Sequence, residues 1–287
     1  MNRKRENDRG ERSKSPTPEC VSEHYSSGYE ENRLLSGAGK LECARSRELL
    51  TRLLPPAPAV VLDVGGGPGA YACWLAKRGY EVHLIDIVPL HVELAAKASL
   101  RQPDTPLASI EIGDACALER QDGSVDAVLM FGPLYHLTDR QQRILALKEA
   151  LRVIRKGGVL LAVGISRFAS ALDGLRSRFL EDPSFFEIVM ADLRDGQHRN
   201  PTENPDYFMD TFFHHPDELQ SEVKEAGFGR IEIFGVEGPG WLAPDFDDWW
   251  RDEDLRSRLL AVARLLETER GMLGTSAHMM VAASKDA

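Results

Sequence analysis

Residues 61–70 read VLDVGGGPGA, an apolar run followed by one acid and a cluster of glycines. Glycine permits a tight turn and lets the backbone come close to a ligand, so this arrangement is typical of the first strand and turn of a nucleotide-binding sheet. Gly65, Gly67 and Ala70 fit the dinucleotide pattern G-x-G-x-x-G/A. The same stretch fits D-x-G-x-G-x-G, which begins at Asp63 and ends at Gly69. The glycines alone therefore leave two classes of cofactor open.

Predicted strands and helices alternate around this turn. Runs rich in β-branched residues predict strands at 59–64, 81–87, 107–112, 125–131 and 159–165. Helix-type spacing with Pro and Gly signals predicts helices at 33–54, 70–78, 89–100 and 140–154, the last of them ended by RKGG at 155–158. This alternation predicts an α/β fold with a Rossmann-like, mostly parallel sheet and helices on both faces.

The regular alternation ends after residue 165. Residues 166–215 show no clear strand pattern, and residues 237–275 hold a second irregular stretch and a helix at 255–266. A helix at 216–226 and strands at 230–236 and 276–283 are predicted around them. Long irregular segments inside a compact domain are usually lids or binding loops, so we expect insertions at about 166–215 and 237–275 to cover a substrate.

Composition narrows the classes of partner. The chain has 287 residues and a net charge of -10, which suits one large domain and disfavours nucleic acid as a partner. No apolar run approaches the roughly 20 residues that a membrane helix needs. The four cysteines show no C-x-x-C spacing, so they predict neither a metal site nor a disulfide framework and fit a cytoplasmic setting. We expect a disordered tail at 1–20, one domain at 21–287, and a monomer or homodimer.

Asp63 distinguishes the two cofactor classes. A dinucleotide would place its pyrophosphate at this turn, where a carboxylate about 4 Å away would repel it by roughly 1–4 kcal/mol. A cofactor with an ammonium and a sulfonium group would instead be attracted by the acid. Asp63 therefore favours S-adenosylmethionine over a nicotinamide dinucleotide.

The next two predicted strands also end in acids. Asp86 can accept hydrogen bonds from both hydroxyls of a ribose, a role that both cofactors allow. Asp114, in the GDA sequence at 113–115, would lie beside an adenine and accept from its exocyclic amine. The second acid again favours the sulfur cofactor.

Taken in order, these motifs resemble the class I S-adenosylmethionine-dependent methyltransferases, in particular the bacterial small-molecule group. The resemblance rests on VLDVGGGPGAYACWLA, the acid of HLIDI, IGDA, and DAVLMFGPLYHL followed by EALRVIRKGG, and it extends from about residue 24 to the last strand. It implies a seven-stranded sheet whose last strand, 276–283, is antiparallel and inserted between the fifth strand and the sixth, 230–236. The size of the two insertions means that the resemblance says little about the methyl acceptor.

The resemblance also implies a set of cofactor contacts. Asp63 with the backbone of Gly65, Gly66, Gly67 and Gly69 would hold the methionine moiety. Asp86 would bind the ribose, Ile87 would pack on the adenine, and Asp114 with Ala115 would meet the adenine edge. Phe131 and Gly132 would line the sulfonium. The segment HYSSGYEENRL resembles the part of the family that closes over the cofactor, which makes Tyr25 and Arg33 candidate contacts, and the start of a surface helix is the alternative.

The sequence GPLYHL after the fourth strand supplies candidate catalytic residues. His136 lies at the edge where such sheets bind ligands, and a histidine with its ordinary pKa near 6.5 suits general-base work. Tyr135 could orient the acceptor or face the helix layer. His136 could equally shape the loop through backbone hydrogen bonds, and His214 and His215 are the alternative base. Arg194, His198 and Arg199 could bind an anionic group of the acceptor.

The predicted function is therefore methyl transfer from S-adenosylmethionine to a small organic acceptor at oxygen, nitrogen or carbon. An NAD-dependent oxidoreductase is the alternative within enzymes, and Asp63 and Asp114 disfavour it. A non-catalytic regulatory protein that binds S-adenosylmethionine is the alternative outside enzymes. Calorimetry with both kinds of cofactor separates the oxidoreductase from the other two hypotheses, and incubation with labelled cofactor tests methyl transfer.

Overall fold

The computed structural model describes residues 33–202 and 204–286. The tail expected at 1–20 and the candidate contact Tyr25 lie outside these ranges. Nine strands form the sheet within the described residues. In chain order they are β1 (Val60–Val64), β2 (Glu81–Asp86), β3 (Ser109–Ile112), β4 (Val125–Met130), β5 (Ile154–Ser166), β6 (Gln197–His198), β7 (Thr211–His214), β8 (Gly229–Gly235) and β9 (His278–Ser284).

Ten α-helices connect and cover these strands in the described part of the chain. They are α1 (Gly39–Leu53), α2 (Ala70–Ala76), α3 (Pro89–Leu100), α4 (Pro133–His136), α5 (Arg140–Val153), α6 (Ala169–Arg176), α7 (Pro183–Asp195), α8 (Pro216–Ala226), α9 (Phe246–Arg251) and α10 (Glu253–Leu266). Short 3-10 turns lie at Phe179–Glu181, Pro205–Tyr207, Gly238–Leu242 and Leu273–Thr275.

The strand order confirms the predicted fold class. The five parallel strands run in the order β3-β2-β1-β4-β5, and β9 pairs antiparallel with β5 on one side and with β8 on the other. The last strand is thus inserted between β5 and β8, as the resemblance implies. Because β9 runs against its neighbours, its first residue, His278, lies opposite Ile165 at the carboxyl edge of the parallel strands.

The expected count of seven strands was wrong. The segment 166–215 contains two additional short strands, and β7 pairs in parallel with the end of β5, with Phe213 opposite Ile165. Only four residues form β7, all of them buried, so no alternation of polar and apolar residues reveals it. The rest of this segment forms α6 and α7.

The prediction that RKGG at 155–158 ends a helix was also wrong. Helix α5 ends at Val153, and β5 begins at once, with a register shift against β4 between Val125 and Ala127. Gly157 has a φ of +76°, and a Cβ on Gly158 would lie 2.6 Å from the carbonyl oxygen of Asp126. These glycines therefore form an irregularity in a strand, and the helix ends before them.

Two apolar layers enclose the sheet. One face packs against α5 and α8, through residues such as Leu147 and Leu219 together with Met279 of β9. The other face packs against α1 and α2, through Leu50, Ala72 and the neighbouring clusters. Helix α1 thereby covers the sheet next to the turn after β1. Among the described helices, none is both long and apolar enough to cross a membrane.

Candidate functional site

The turn after β1 is built by backbone hydrogen bonds to β2. Gly65 donates its N–H to the carbonyl oxygen of Ile85 at 2.7 Å, and its φ is +68°. A Cβ on Gly65 would lie 2.7 Å from Cδ of Pro133, so this turn packs directly against the start of α4. Gly67 also has a positive φ, +56°, but a Cβ there would meet no atom within 4 Å. The turn therefore leaves open space at Gly67 where a ligand can approach the backbone.

Asp63 lies under this turn with a carboxylate that the described residues do not satisfy. The residue is 2% exposed, and its Oδ2 atom makes no hydrogen bond with any described residue. Burial, followed by the charge of Asp86, raises the pKa of Asp63 to about 7. A buried carboxylate with an unused oxygen matches an incoming ammonium group and opposes a phosphate. The residue thus fits the cationic end of S-adenosylmethionine.

Asp86 ties the end of β2 to the same turn. Its Oδ2 accepts from the N–H of Gly67 at 2.8 Å, and its Oδ1 accepts from the N–H of Val88 at 2.8 Å. The Nδ1 atom of His91 lies 3.2 Å from Oδ1. The carboxylate is therefore fixed at the carboxyl edge, between the open backbone at Gly67 and the start of α3.

The end of β3 lies beside the end of β2, with Ile112 opposite Asp86 in the parallel register. Asp114 follows in an exposed turn, where its Oδ1 accepts from the N–H of Cys116 at 2.8 Å. Ile87 and Ala115 are half-buried. The structure thus brings Ile87, Asp114 and Ala115 to the one stretch of edge that the sequence assigns to an adenine.

The end of β4 faces the glycine turn. A Cβ on Gly132 would lie 3.4 Å from the carbonyl oxygen of Gly65, so the two backbones are close. The ring of Phe131 meets that of Tyr71 edge to face, with centroids 5.2 Å apart. Asp63, Phe131 and Gly132 therefore surround the same point on the edge of the sheet.

Helix α4 carries the two candidate catalytic residues. The rings of Tyr135 and His136 lie 4.6 Å apart, and both residues are half-buried. The hydroxyl of Tyr135 would lie 4.0 Å from a Cβ on Gly132, which places the phenol beside the end of β4. Tyr135 therefore lies beside Gly132, which the resemblance assigns to the sulfonium.

The two alternative bases, His214 and His215, and the candidate anion-binding residue His198 lie elsewhere. His214 is completely buried, with Nε2 3.2 Å from Glu222 Oε2, and burial lowers its pKa. His215 caps α8 through its ring and a reciprocal contact from Glu218. His198 is buried with Nδ1 2.8 Å from Asp192 and Nε2 2.7 Å from the carbonyl oxygen of Tyr207. The rings of His198 and His214 are therefore buried and engaged within the protein, whereas the side chain of His215 is 43% exposed and its Nδ1 atom caps the helix.

A cluster at the carboxyl edge joins the candidate contact Arg33 to three residues that the sequence did not single out, Glu42, Glu237 and His278. Arg33 donates to both carboxylate oxygens of Glu42 on α1, one of them at 2.9 Å. The Nδ1 atom of His278 lies 2.6 Å from Glu237 Oε1 and 3.7 Å from Glu42 Oε2. Glu237 Oε2 in turn accepts from the hydroxyl of Ser276 at 2.8 Å. We call Arg33, Glu42, Glu237 and His278 the α1–β9 cluster.

Charge is balanced within the α1–β9 cluster. Burial alone would lower the pKa of His278, but the carboxylates of Glu42 and Glu237 raise it to about 9, so two cations face two anions at neutral pH. Glu42, Glu237 and His278 each offer a metal-ligand atom within 4.8 Å of the others. Arg33 and Ser276 already occupy the carboxylates, however, so the arrangement is that of an ion-pair cluster. The sequence signal for this cluster was the predicted antiparallel last strand, because such a strand has its first residues at the carboxyl edge of the parallel strands.

Residues 62–162 match the methyltransferase domain family. A ubiquinone biosynthesis O-methyltransferase of Xanthomonas axonopodis pv. citri is 30% identical over 197 residues, which cover 68% of this chain and 72% of the relative. Among the curated relatives compared, the matched stretch spans between 28% and 74% of the relative's own length.

Solved structures with the same fold cover nearly the whole chain. An S-adenosylmethionine-dependent methyltransferase of Thermotoga maritima, described as a possible histamine N-methyltransferase, has a TM-score of 0.58 at 17% identity and covers 93% of this chain and 99% of its own. A [4+2]-cyclase has a TM-score of 0.61 at 15% identity and covers 96% and 98%. The similarity to the Xanthomonas enzyme agrees with the strand order, with the glycine turn and with the acids near the ends of β1 and β2. The chain therefore belongs to the class I S-adenosylmethionine-dependent methyltransferases.

Proposed function

We propose that the protein transfers the methyl group of S-adenosylmethionine to a small organic acceptor. The observation that carries this proposal is the buried carboxylate of Asp63, whose Oδ2 lacks a hydrogen-bond partner among the described residues. A cationic ammonium would satisfy that oxygen, whereas a pyrophosphate would be repelled by it. The open backbone at Gly67 supports the same ligand, because it leaves room beside the acid.

Each part of the cofactor has proposed contacts at the carboxyl edge. Asp63 and the backbone from Gly65 to Gly69 bind the methionine moiety, and Arg33 binds its carboxylate. Asp86 binds the ribose. The adenine lies against Ile87, Asp114 and Ala115, and the sulfonium lies against Phe131 and Gly132. Asp86 keeps lone pairs for a ribose hydroxyl in addition to its bonds to Gly67 and Val88.

The cofactor supplies an electrophilic methyl group, and the electron pair of its carbon–sulfur bond stays on sulfur when the acceptor takes that group. The chain therefore has to orient the acceptor, exclude water and handle the acceptor's proton. Tyr135 is the proposed orienting residue, because its hydroxyl lies beside Gly132. His136, on the same short helix, is the proposed base. Helices α6 and α7 and the segment 237–275 are proposed to close over the acceptor.

We favour an aromatic hydroxyl compound as the acceptor. The Xanthomonas relative is named for the O-methylation step of ubiquinone biosynthesis, and it matches this chain over 197 residues. A phenolic oxygen suits a site that contains histidine and tyrosine side chains, since it must lose a proton before or during transfer. Analysis of the methylated product would show whether the methyl group is on oxygen or on a ring carbon.

Calorimetry with S-adenosylmethionine, S-adenosylhomocysteine and NADH tests the cofactor assignment. We expect binding of both sulfur compounds and none of NADH; binding of NADH alone would overturn the proposal. Incubation with methyl-labelled cofactor and a panel of phenols and quinols then tests transfer. Binding without any labelled product, even with a cell extract as the acceptor source, would favour a protein that binds the cofactor without methylating, as the shared fold of the [4+2]-cyclase allows.

A further inference from the structure

The Glu237–His278 pair has the geometry of a carboxylate-supported acid–base group. The Nδ1 atom of His278 lies 2.6 Å from Glu237 Oε1, which fixes the proton of the ring on Nδ1 when the ring is neutral. Glu237 is itself held, because its Oε2 accepts from the hydroxyl of Ser276 and from the N–H of His278 at 3.0 Å. Among the described residues no hydrogen bond to the Nε2 atom is found, and the side chain of His278 is 17% exposed.

The pair lies on the face of the sheet that carries the proposed methyl-transfer site. Met280, two residues after His278, packs in one cluster with Leu49 of α1, and Phe131 packs against that cluster. Side chains two residues apart on a strand share a face, so His278 points to the same side as Phe131. Its contact with Glu42 on α1 agrees with this direction.

The distance to the end of β4 suits one acceptor molecule. Strand β5 lies between β4 and β9, so β4 and β9 are about 10 Å apart across the sheet. His278 pairs with Ile165, three residues beyond Ala162, the partner of Met130, which adds about 10 Å along the strands. An aromatic acceptor with substituents that lies obliquely across this edge can reach both Gly132, two residues beyond Met130, and the ring of His278. Ile165, opposite His278, provides an apolar wall at this position.

We propose that Nε2 of His278 binds the ionised hydroxyl of a phenol or quinol acceptor, with Glu237 as the residue that positions the ring. This proposal rests on the proposed function and specifies how the acceptor is recognised. In this role His278 takes the phenol's proton in place of His136: a phenol that enters protonated gives its proton to neutral Nε2, and a phenolate that enters ionised meets the imidazolium. Both routes give the same pair, a phenolate oxygen with the proton on Nε2. A phenolate is electron-rich at oxygen and at the ring carbons beside it, so the pair serves transfer to either.

The charges around His278 are consistent with this role. Glu42 from α1 and Glu237 from the segment after β8 face the ring and favour its cationic form, and Arg33 opposes them. The pKa of about 9 that results is close to that of a phenol, near 10 for tyrosine, so a proton passes between the two groups with little cost.

Binding of 4-nitrophenol in the presence of S-adenosylhomocysteine tests the proposal without turnover. At a pH below the probe's own pKa, we expect wild-type protein to increase the visible absorbance of nitrophenolate, because the bound probe is ionised. His278→Asn removes the charge-assisted hydrogen bond and should weaken this binding by about ten- to hundredfold. His83→Asn is the matched control, since His83 lies on β2 beside Ser109, away from the α1–β9 cluster, and should change nothing.

A second measurement covers the case in which His278→Asn does not fold. The protonation of the His278 ring is followed by 15N NMR. In wild-type protein, nitrophenol should raise the apparent pKa of the ring. In Glu237→Gln, that pKa and the affinity for nitrophenol should both fall. Unchanged nitrophenolate binding in His278→Asn, or an unperturbed His278 resonance, would overturn the proposal. So would a wild-type protein that binds S-adenosylhomocysteine but not the probe. Failure of S-adenosylhomocysteine itself to bind would overturn the proposed function and this inference with it.

Discussion

The carboxyl groups of Asp63 and Asp86 end neighbouring strands, and the charge of Asp86 helps to raise the pKa of Asp63 to about 7. The two acids are satisfied to different degrees. Asp86 accepts from two backbone N–H groups, whereas Oδ2 of Asp63 has no partner among the described residues. One acid is therefore built into the fold, and the other is available to a cationic ligand.

The affinity for S-adenosylmethionine should depend on pH through Asp63. Below pH 7 the carboxyl is increasingly protonated and no longer attracts the cofactor's ammonium, so affinity should fall by about tenfold between pH 8 and pH 6. Above about pH 8 the cofactor's own amino group loses its proton, so affinity should be greatest between about pH 7 and pH 8. Calorimetry across this range is the measurement. Asp63→Asn should bind the cofactor weakly, and its affinity should not fall between pH 8 and pH 6. If the affinity of this variant falls over that range as it does in wild type, another group causes the fall.

The same acid should reduce the stability of the ligand-free protein at high pH. The folded-state pKa of Asp63 is raised from 3.8, so its ionisation opposes folding as the pH rises through 4 to 7. Asp63→Asn should therefore be more stable than wild type at pH 8, by on the order of 2–4 kcal/mol at about 1.4 kcal/mol per pKa unit, and should show no gain at pH 4. Urea unfolding at the two pH values measures this, and an equal gain at both would show that charge is not the cause.

Gly67→Ala should weaken cofactor binding far more than it weakens the fold. A Cβ at this position meets no atom of the described residues within 4 Å, but its φ of +56° costs about 1 kcal/mol for alanine. The methyl group would instead enter the space proposed for the cofactor. Gly157→Ala is the matched control, because Gly157 has a φ of +76°, equally open surroundings and a position at the start of β5. We expect both variants to lose the same stability and only Gly67→Ala to lose affinity for S-adenosylhomocysteine. Equal affinities in the two variants would place the cofactor elsewhere.

Arg143 should be among the most sensitive positions for stability. The residue is 1% exposed and donates to both oxygens of Glu222, at 2.9 and 2.7 Å, and to the carbonyl oxygens of Leu137 and Thr138. Arg143→Met leaves Glu222, whose pKa is lowered to about 2, without its main partner and should cost about 3–5 kcal/mol. Arg140→Met removes an exposed partner of Glu225 and should cost at most about 1 kcal/mol. Thermal unfolding compares the two, and similar losses would show that burial of the pair is not decisive.

His136→Asn separates binding from chemistry. If the ring acts on the acceptor, this variant should keep its affinity for S-adenosylhomocysteine within about threefold and lose about 100-fold or more in the rate of labelled methyl transfer to a phenol. Tyr135→Phe should change the KM for the acceptor more than it changes the affinity for the cofactor. A His136→Asn protein with full turnover would limit His136 to a structural role and leave His278 as the group that handles the proton.

The sequence was most informative where local signals coincide. Helices 89–100 and 216–226 have the predicted ends, since each begins with proline and the second is closed by Gly227 in the left-handed conformation. The acids that end β1 and β2 were found because carboxyl ends of parallel strands share an edge. Strand β7 was missed because four buried residues carry no pattern.

The α1–β9 cluster was missed for a different reason. Its four residues come from the segment before α1, from α1, from the segment after β8 and from the first position of β9. No spacing along the chain relates them, and only the packing of α1 on the sheet brings Glu42 to His278. A search restricted to the ends of parallel strands cannot find a group that an antiparallel strand delivers to the same edge.

If Asp63 binds the cofactor as proposed, its unsatisfied oxygen would link the lifetime of the protein to the supply of its ligand. A ligand that binds only the folded chain stabilises it by an amount that grows with the logarithm of the ligand's concentration, about 2.7 kcal/mol at a hundredfold excess over Kd. In this protein the gain includes relief of a buried charge that the empty fold must bear. When the cofactor is scarce, a larger fraction of molecules would unfold and meet proteases. The acid that selects the cofactor would thereby also adjust the abundance of the enzyme to it.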